Sequence, residues 1–192
     1  QRAIAVLEEA LNQCHTAHVP LFVAGMTISL GLAYALAGRG AEAVPLLDQV
    51  QVQEETLTSL GGNSTVLRVG EAYLRVGRWH DAFQLAELAQ RLSHGRKERG
   101  NLAWVLWLLG EIAMCRQPAE VEPAEAHYRQ ALSLAEELGM RPLVAHCHLG
   151  LGKLYAEVGR HEEAQVALAG AVELYRALDM MYWLPQVEAR LA

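Results

Sequence analysis

The chain has 192 residues, the size of one domain or one short repeat array, and 52% of them are apolar against 20% charged. That is enough to build a core and excludes a disordered chain. A net charge of -6 excludes a general nucleic-acid binder, which needs an excess of Lys and Arg to displace counterions. Cys14, Cys115 and Cys147 are an odd set and read as ordinary thiols of a reducing compartment, not as a disulfide framework.

Apolar periodicity predicts ten helices, near 1–16, 20–37, 40–56, 64–76, 79–94, 99–115, 122–138, 142–158, 161–178 and 182–191. No segment alternates with period two for long enough to make a strand. In the first helix Glu8 and Glu9 interrupt any secretory apolar run. The chain also opens in the middle of an apolar helical pattern, so it is expected to be part of something longer. The second helix lies in Val19–Gly38, 20 residues without a charge. That is long enough for a bilayer span, but the same pattern returns later with charges in it, so a buried helix of an array is expected and a membrane is not.

The remaining elements repeat one plan. Gly31-Leu32-Ala33-Tyr34 leads to Gly38-Arg39 and Ala43; Gly70-Glu71-Ala72-Tyr73 leads to Gly77-Arg78 and Ala82; Gly152-Lys153-Leu154-Tyr155 leads to Gly159-Arg160 and Ala164. A degenerate copy runs from Gly110-Glu111-Ile112-Ala113 to Ala124, with its extra length expected in a loop from Pro118 to Pro123. The leading glycines are 39, 40 and 42 residues apart. The second helix of each copy carries an i, i+4, i+7 stripe: Ala43, Leu47, Val50; Ala82, Ala86, Ala89; Ala124, Tyr128, Ala131; Ala164, Leu168, Ala171. Ala3, Leu7 and Ala10 fit the same stripe, so the chain opens with the second helix of a repeat. A glycine inside a helix costs about 1 kcal/mol relative to Ala, and its recurrence predicts close approach of a neighbouring helix. Gly31, Tyr34, Gly70, Tyr73, Gly110, Gly152 and Tyr155, with Ala43, Ala82, Ala124 and Ala164, are therefore read as repeat-packing residues. Gly38, Gly77 and Gly159 are read as left-handed residues ending the first helices.

This pattern resembles the tetratricopeptide repeat, with copies longer than the usual repeat of about 34 residues. The likeness covers essentially the whole chain. Met140-Arg141-Pro142 through Lys153-Leu154-Tyr155, with Leu174-Tyr175-Arg176 through Trp183-Leu184, looks like the C-terminal repeats of large bacterial signalling proteins. Those join a class III adenylate or guanylate cyclase, or another output domain, to an AAA-type ATPase. The resemblance implies an all-α, right-handed superhelical solenoid spanning 1–192 as a single domain. Half-repeats at 1–16 and 182–192 flank full repeats at 20–56, 64–94, 99–138 and 142–178. It carries no catalytic residue.

Candidate chemistry is sparse. Gly150-Leu151-Gly152 lacks the third glycine and the preceding strand of a phosphate loop and reads as helix packing. His146, Cys147 and His148 are too closely spaced to share a helical face, whereas Cys14 and His18 stand at i, i+4, the better chelating spacing. Neither group is expected to bind metal, and no cofactor or catalytic residue is expected. Glu8-Glu9, Glu54-Glu55, Glu136-Glu137 and Glu162-Glu163 read as solvated pairs. Arg91, His94, Arg96, Lys97 and Arg99 form the one basic cluster, at a helix-to-helix loop.

In the resembled architecture the first helix of each pair lines the concave face. Trp104, Trp107, Glu111 and Met114 share one helical side, and the neighbouring copies add Leu67, Glu71 and Leu74, and His146, Leu149 and Lys153. Aromatics with a few charges suit a peptide-binding groove; taken singly, each tryptophan reads equally as core. Repeats that clamp carboxylate tails of chaperones use Lys, Arg and Asn at these places, which disfavours that partner class. The expectation is a non-catalytic, cytoplasmic interaction or sensor module of a bacterial signalling ATPase or cyclase. Its partner is a protein or peptide segment, upstream domains of the same polypeptide included, and not nucleic acid or membrane. The alternative is an oligomerisation module assembling through end helices.

Overall fold

A computed structural model of the chain describes residues 2–49 and 62–191. Among these residues it is all helix: α1 (Arg2–Thr16), α2 (Pro20–Leu36), α3 (Gly40–Gln49), α4 (Asn63–Arg75), α5 (Trp79–Arg96), α6 (Arg99–Cys115), α7 (Val121–Glu137), α8 (Arg141–Glu157), α9 (His161–Ala177) and α10 (Leu184–Leu191). The predicted end of the third helix, Val50 of its stripe and Glu54-Glu55 lie outside the described residues. No described helix is long and apolar enough to cross a membrane; the charge-free Val19–Gly38 stretch is instead α2, closed by Gly38.

Seven helix ends share one device. The amide two residues past the helix C-cap reaches back five residues, as in Arg39 N to Tyr34 O (2.9 Å), Arg78 N to Tyr73 O (2.9 Å) and Arg160 N to Tyr155 O (2.8 Å). The same bond closes α1, α5, α7 and α9, through Val19 N, Glu98 N, Met140 N and Met180 N. This Schellman closure needs a left-handed residue just before the reaching amide. Gly38, Gly77, Gly139 and Gly159 supply it at φ 66 to 82°, but His18, Lys97 and Asp179 also adopt it, at φ 53, 58 and 54°. The pattern thus names three of the seven ends, Gly38, Gly77 and Gly159, and misses Gly139 and the three ends closed without glycine. The degenerate copy differs: its connection is Arg116–Glu120, and Pro123 sits inside the first turn of α7, not in the loop. A first-turn amide has no intrahelical acceptor, so proline costs nothing there.

Two compact units divide at Leu92 and Ser93. In the first, α1 packs on α2, α2 on α3, and the first helices α2 and α4 lie side by side. In the second, α6 to α9 pack in consecutive pairs, α6 lies beside α8, and α10 closes on α9. The stripe alanines Ala43, Ala82, Ala124 and Ala164 are buried, three of them completely.

The facing helix does approach the matched glycines, with Leu168 N 3.3 Å from a methyl placed at Gly152 and Ala43 O 3.7 Å from one at Gly31, but side chains make the tightest contacts. Gly31, Gly110 and Gly152 each make room for the middle side chain of a second-helix stripe. A methyl added at Gly31 would sit 2.8 Å from Leu47 Cδ2, at Gly110 2.7 Å from Tyr128 Cε1, and at Gly152 2.6 Å from Leu168 Cγ and Cδ2. Tyr128 is the largest of these stripe residues, and it needs room on both sides. A methyl at Gly150 would lie 2.5 Å from its ring. The Gly150-Leu151-Gly152 run is thus two packing glycines, one for Tyr128 and one for Leu168.

Candidate functional site: an aromatic ladder on the first helices

Within the second unit the first helices α6 and α8 and the entry to α10 carry a continuous set of rings. Trp104 and Trp107, three residues apart on α6, meet edge to face at 5.5 Å between centroids. His146 on α8 stands 5.8 Å from Trp104 and 5.6 Å from Trp107. Trp183, just before α10, meets the His146 ring at 4.9 Å, and Tyr182 meets Trp183 at 5.0 Å. Behind them Tyr175 of α9, fully buried, bonds its hydroxyl to His146 Nδ1 at 2.8 Å. That bond fixes the imidazole orientation on a buried partner. Each such ring pair is worth about 0.5–1.5 kcal/mol beyond its buried area, so the ladder is a rigid surface.

The two tryptophans have different roles. Trp107 is 4% exposed and belongs to the core, whereas Trp104 stands half-buried at the rim. Leu149 and His146 are buried as well, and Met114 is half-buried. Glu111 is held: Tyr128 donates its hydroxyl to Oε1 at 2.7 Å, and Lys153 Nζ lies 4.0 Å from Oε2. Burial, and then the neighbouring Glu111 carboxylate, push the Tyr128 phenol well above its ordinary range, so it stays a donor. Glu111 and Lys153 are thus a half-buried pair beside the ladder. In the first unit Leu67 is buried, Leu74 is half-buried, and Glu71 takes Arg75 at 3.4 Å. On the same first-helix pair Arg68 donates to Ser29 Oγ at 2.7 Å.

Other candidate groups resolve into structure. α1 ends at Thr16 and His18 lies beyond it at positive φ, so Cys14 and His18 share no helical face. No group of three or more His, Cys, Asp or Glu among the described residues is arranged to hold a metal. Cys147 is fully buried, and burial pushes its thiol up to about 12, which leaves it protonated and inert. His148 faces the bare Cα of Gly170, its ring 3.6 Å from where a methyl would stand. In the basic cluster Arg99 pairs with Glu137, while Arg91, His94, Arg96 and Lys97 are exposed.

Three further clusters escaped the sequence reading. Beside each repeat tyrosine the arginine after the closing glycine lies over the ring, at 4.4 Å for Arg39 on Tyr34, 4.5 Å for Arg78 on Tyr73 and 4.2 Å for Arg160 on Tyr155. The tyrosine hydroxyl reaches an acid on the preceding second helix: Glu8 for Tyr34, Asp48 at 2.8 Å for Tyr73, and Glu125 at 3.0 Å for Tyr155. Arg78 and Arg160 then bind those same acids and a second one three residues on, Asp81 or Glu163. Glu8 and Asp48 each follow the first stripe alanine by five residues, which is the signal that could have found them. Glu8, Glu137 and Glu163 are accordingly tied to other helices or turns, not merely solvated.

Family models described as tetratricopeptide repeat match residues 120–177, and residues 26–49 and 99–119. This chain carries tetratricopeptide repeats. No curated protein matches it. Its fold is similar to that in the crystal structure of BtubC (BKLC) from P. vanneervenii, at 21% identity and a TM-score of 0.63, over 99% of this chain and 80% of that one. The tyrosine–arginine–acid clusters are then links between one tetratricopeptide repeat and the next. Tetratricopeptide repeats generally serve to bind proteins or peptides.

Proposed function

We propose that the chain is a non-catalytic, cytoplasmic interaction module that binds a protein or peptide segment on the first-helix face of its second unit. The observation that carries this reading is the ladder of Trp104, His146 and Trp183. Rigid aromatic rings at a half-buried rim, backed by a core tryptophan and flanked by the Glu111–Lys153 pair, have the composition of an interface centre. The face offers apolar anchoring with one acid and one base beside it, which suits an extended or helical segment with a large apolar residue and flanking charge. The likeness of the closing repeat to the C-terminal repeats of bacterial cyclase–ATPase signalling proteins supports a sensor role, in which the bound segment biases an output domain elsewhere in the polypeptide.

The test is capture with the whole chain as bait, comparing parent, Trp104→Ala and Lys153→Glu, with circular dichroism to show that each variant is folded. Both positions are half-buried, so folding should survive. Loss of the same captured protein in both variants is the expected result. Equal capture by all three would remove the face from consideration.

One observation favours assembly as a second reading. Ala169, Val172, Glu173, Arg176 and Ala177 of α9, with Glu188 and Leu191 of α10, line an open groove of about 730 Å³, and Val166 nearby in sequence is 75% exposed. Light scattering across a dilution series tests it: the monomer mass at every concentration removes it.

A further inference from the structure

Four glycines inside first helices are explained by the side chains they admit: Gly31 by Leu47, Gly110 and Gly150 by Tyr128, and Gly152 by Leu168. Gly25, inside α2, is not. Among the described residues nothing lies within 4 Å of a methyl placed there. A glycine destabilises a helix interior relative to alanine, and here no packing contact offsets the loss. A bare Cα is also what lets another backbone come close.

Phe22, Gly25, Met26 and Ser29 stand at i, i+3, i+4 and i+7, on one face of α2. Phe22 is 55% exposed, and Gly25, Met26 and Ser29 are half-buried. The neighbouring first helix, α4, brings Arg68 onto this face. Its Nη2 donates to Ser29 Oγ at 2.7 Å, and Ser29 donates its own proton to Gly25 O at 2.7 Å. The hydroxyl is thus committed on both sides. It fixes one arm of an exposed guanidinium and leaves the rest of the fork in water.

Among the described residues this arginine has no carboxylate partner. Arg78, Arg99, Arg160 and Arg176 also reach across to other helices, and each ends on a carboxylate. Arg68 ends on a neutral hydroxyl. α2 carries no charged residue, and Glu71, the acid of α4, takes Arg75. Two residues before the packing glycine the other copies have Ser29, Leu108 and Gly150, so the cation is peculiar to this repeat.

We propose that this face of the first unit docks an extended peptide segment, with an Asp or Glu side chain of the segment on Arg68 and its backbone passing over Gly25. The free part of the guanidinium fork takes the carboxylate in a charge-assisted pair. Gly25 lies one helical turn, about 5 Å, from Ser29, within reach of a carboxylate side chain from its own backbone. A large apolar side chain next to the acid rests on Phe22. The site is separate from the ring ladder of the second unit and does not depend on it.

A random peptide display library is panned on the parent after counter-selection on Arg68→Glu, and the recovered peptides are titrated against the parent, Arg68→Gln, Arg68→Lys and Gly25→Leu. The expected peptides share an Asp or Glu. Arg68→Gln and Gly25→Leu weaken them about tenfold or more, and Arg68→Lys, which keeps the charge without the fork, falls between. Replacing the shared acid by its amide costs as much against the parent and nothing further against Arg68→Gln. Leucine at 25 is a good helix former placed where the chain leaves room, so a urea midpoint at or above the parent's separates lost binding from lost folding. Gly25→Ala carries the comparison if the leucine variant melts early. No binders, peptides without a common acid, or equal binding by Arg68→Gln overturns the proposal. So does dependence on Arg68 with the Gly25 variants binding as well as the parent. A parent that dimerises without peptide, with Arg68→Gln monomeric, makes the occupant a second copy and overturns the peptide.

Discussion

Gly152 and Leu168 form the contact on which the final repeat depends, and the coupling between them can be measured. A methyl at Gly152 would stand 2.6 Å from two carbons of Leu168 and 3.3 Å from its backbone nitrogen. Carbon atoms rest at about 3.5–4.0 Å, so about 1 Å must be recovered. Leu168 is 2% exposed and its own backbone is close, so it has little room to retreat. Overpacking of this kind costs about 1–3 kcal/mol, and the better helix propensity of alanine returns about 1. Gly152→Ala should therefore destabilise by up to about 2 kcal/mol. Leu168→Ala alone should cost about 2–5 kcal/mol for the lost burial and the cavity. In the double variant the new methyl enters the space Leu168 has left, so the pair should be no worse than Leu168→Ala alone. The coupling then amounts to the overpacking relieved, about 1–3 kcal/mol in the favourable direction. Gly25→Ala is the control: it is mid-helix in α2 with nothing within 4 Å of the added methyl, and should gain up to about 1 kcal/mol. Urea denaturation followed by far-ultraviolet circular dichroism reads all four. Additive effects at 152 and 168, or a Gly152→Ala variant stabilised as much as Gly25→Ala, would refute the packing argument.

The helix ends give a second expectation. Lys97 holds φ 58° at a position where other repeats have glycine, so Lys97→Gly should raise stability by up to about 1 kcal/mol and Gly159→Ala should lower it by about as much; opposite or null shifts in the denaturation midpoint would count against the closure assignment. Tyr73→Phe removes the hydroxyl that donates to Asp48 at 2.8 Å and should cost about 0.5–1.5 kcal/mol, measured by the same denaturation; no change would mean that the repeat link is decorative. Burial holds His127 and His148 below the usual imidazole range. The unfolded chain therefore binds protons more readily, and the stability these two groups confer is complete above about pH 6.5 and is lost as pH falls through and below that value. A His127→Gln, His148→Gln double variant should show a flatter midpoint between pH 7.5 and 5.5 than the parent; an unchanged slope assigns the dependence to other groups.

The sequence carries the fold in a form that periodicity can read, because each repeat buries the same stripe. Ala82 and Ala124 are fully buried, Ala164 nearly so, and among the described residues the helix boundaries fall within a few residues of the pattern. What periodicity cannot read is which partner a side chain meets across a helix pair. Trp104 and Trp107 are three residues apart and equally apolar, yet one is rim and the other core. That difference is set by how His146 and Trp183 approach from other helices. Glu111 looks free in a linear reading because its partners, Tyr128 and Lys153, are 17 and 42 residues away. The same limit explains Gly150. A second glycine two residues from Gly152 has no meaning within one repeat copy. It acquires one when the stripe position that is Leu47 or Leu168 elsewhere becomes Tyr128, whose larger ring must be admitted by the first helix on each side. The repeat fixes a layout of small and large positions. The departures from it, Tyr128 with Gly150 and the lengthened turn that carries Trp183, are where this chain acquires features its other copies lack. A surface able to select one partner must be built from such departures, since positions common to every repeat cannot distinguish one stretch of a bound segment from the next.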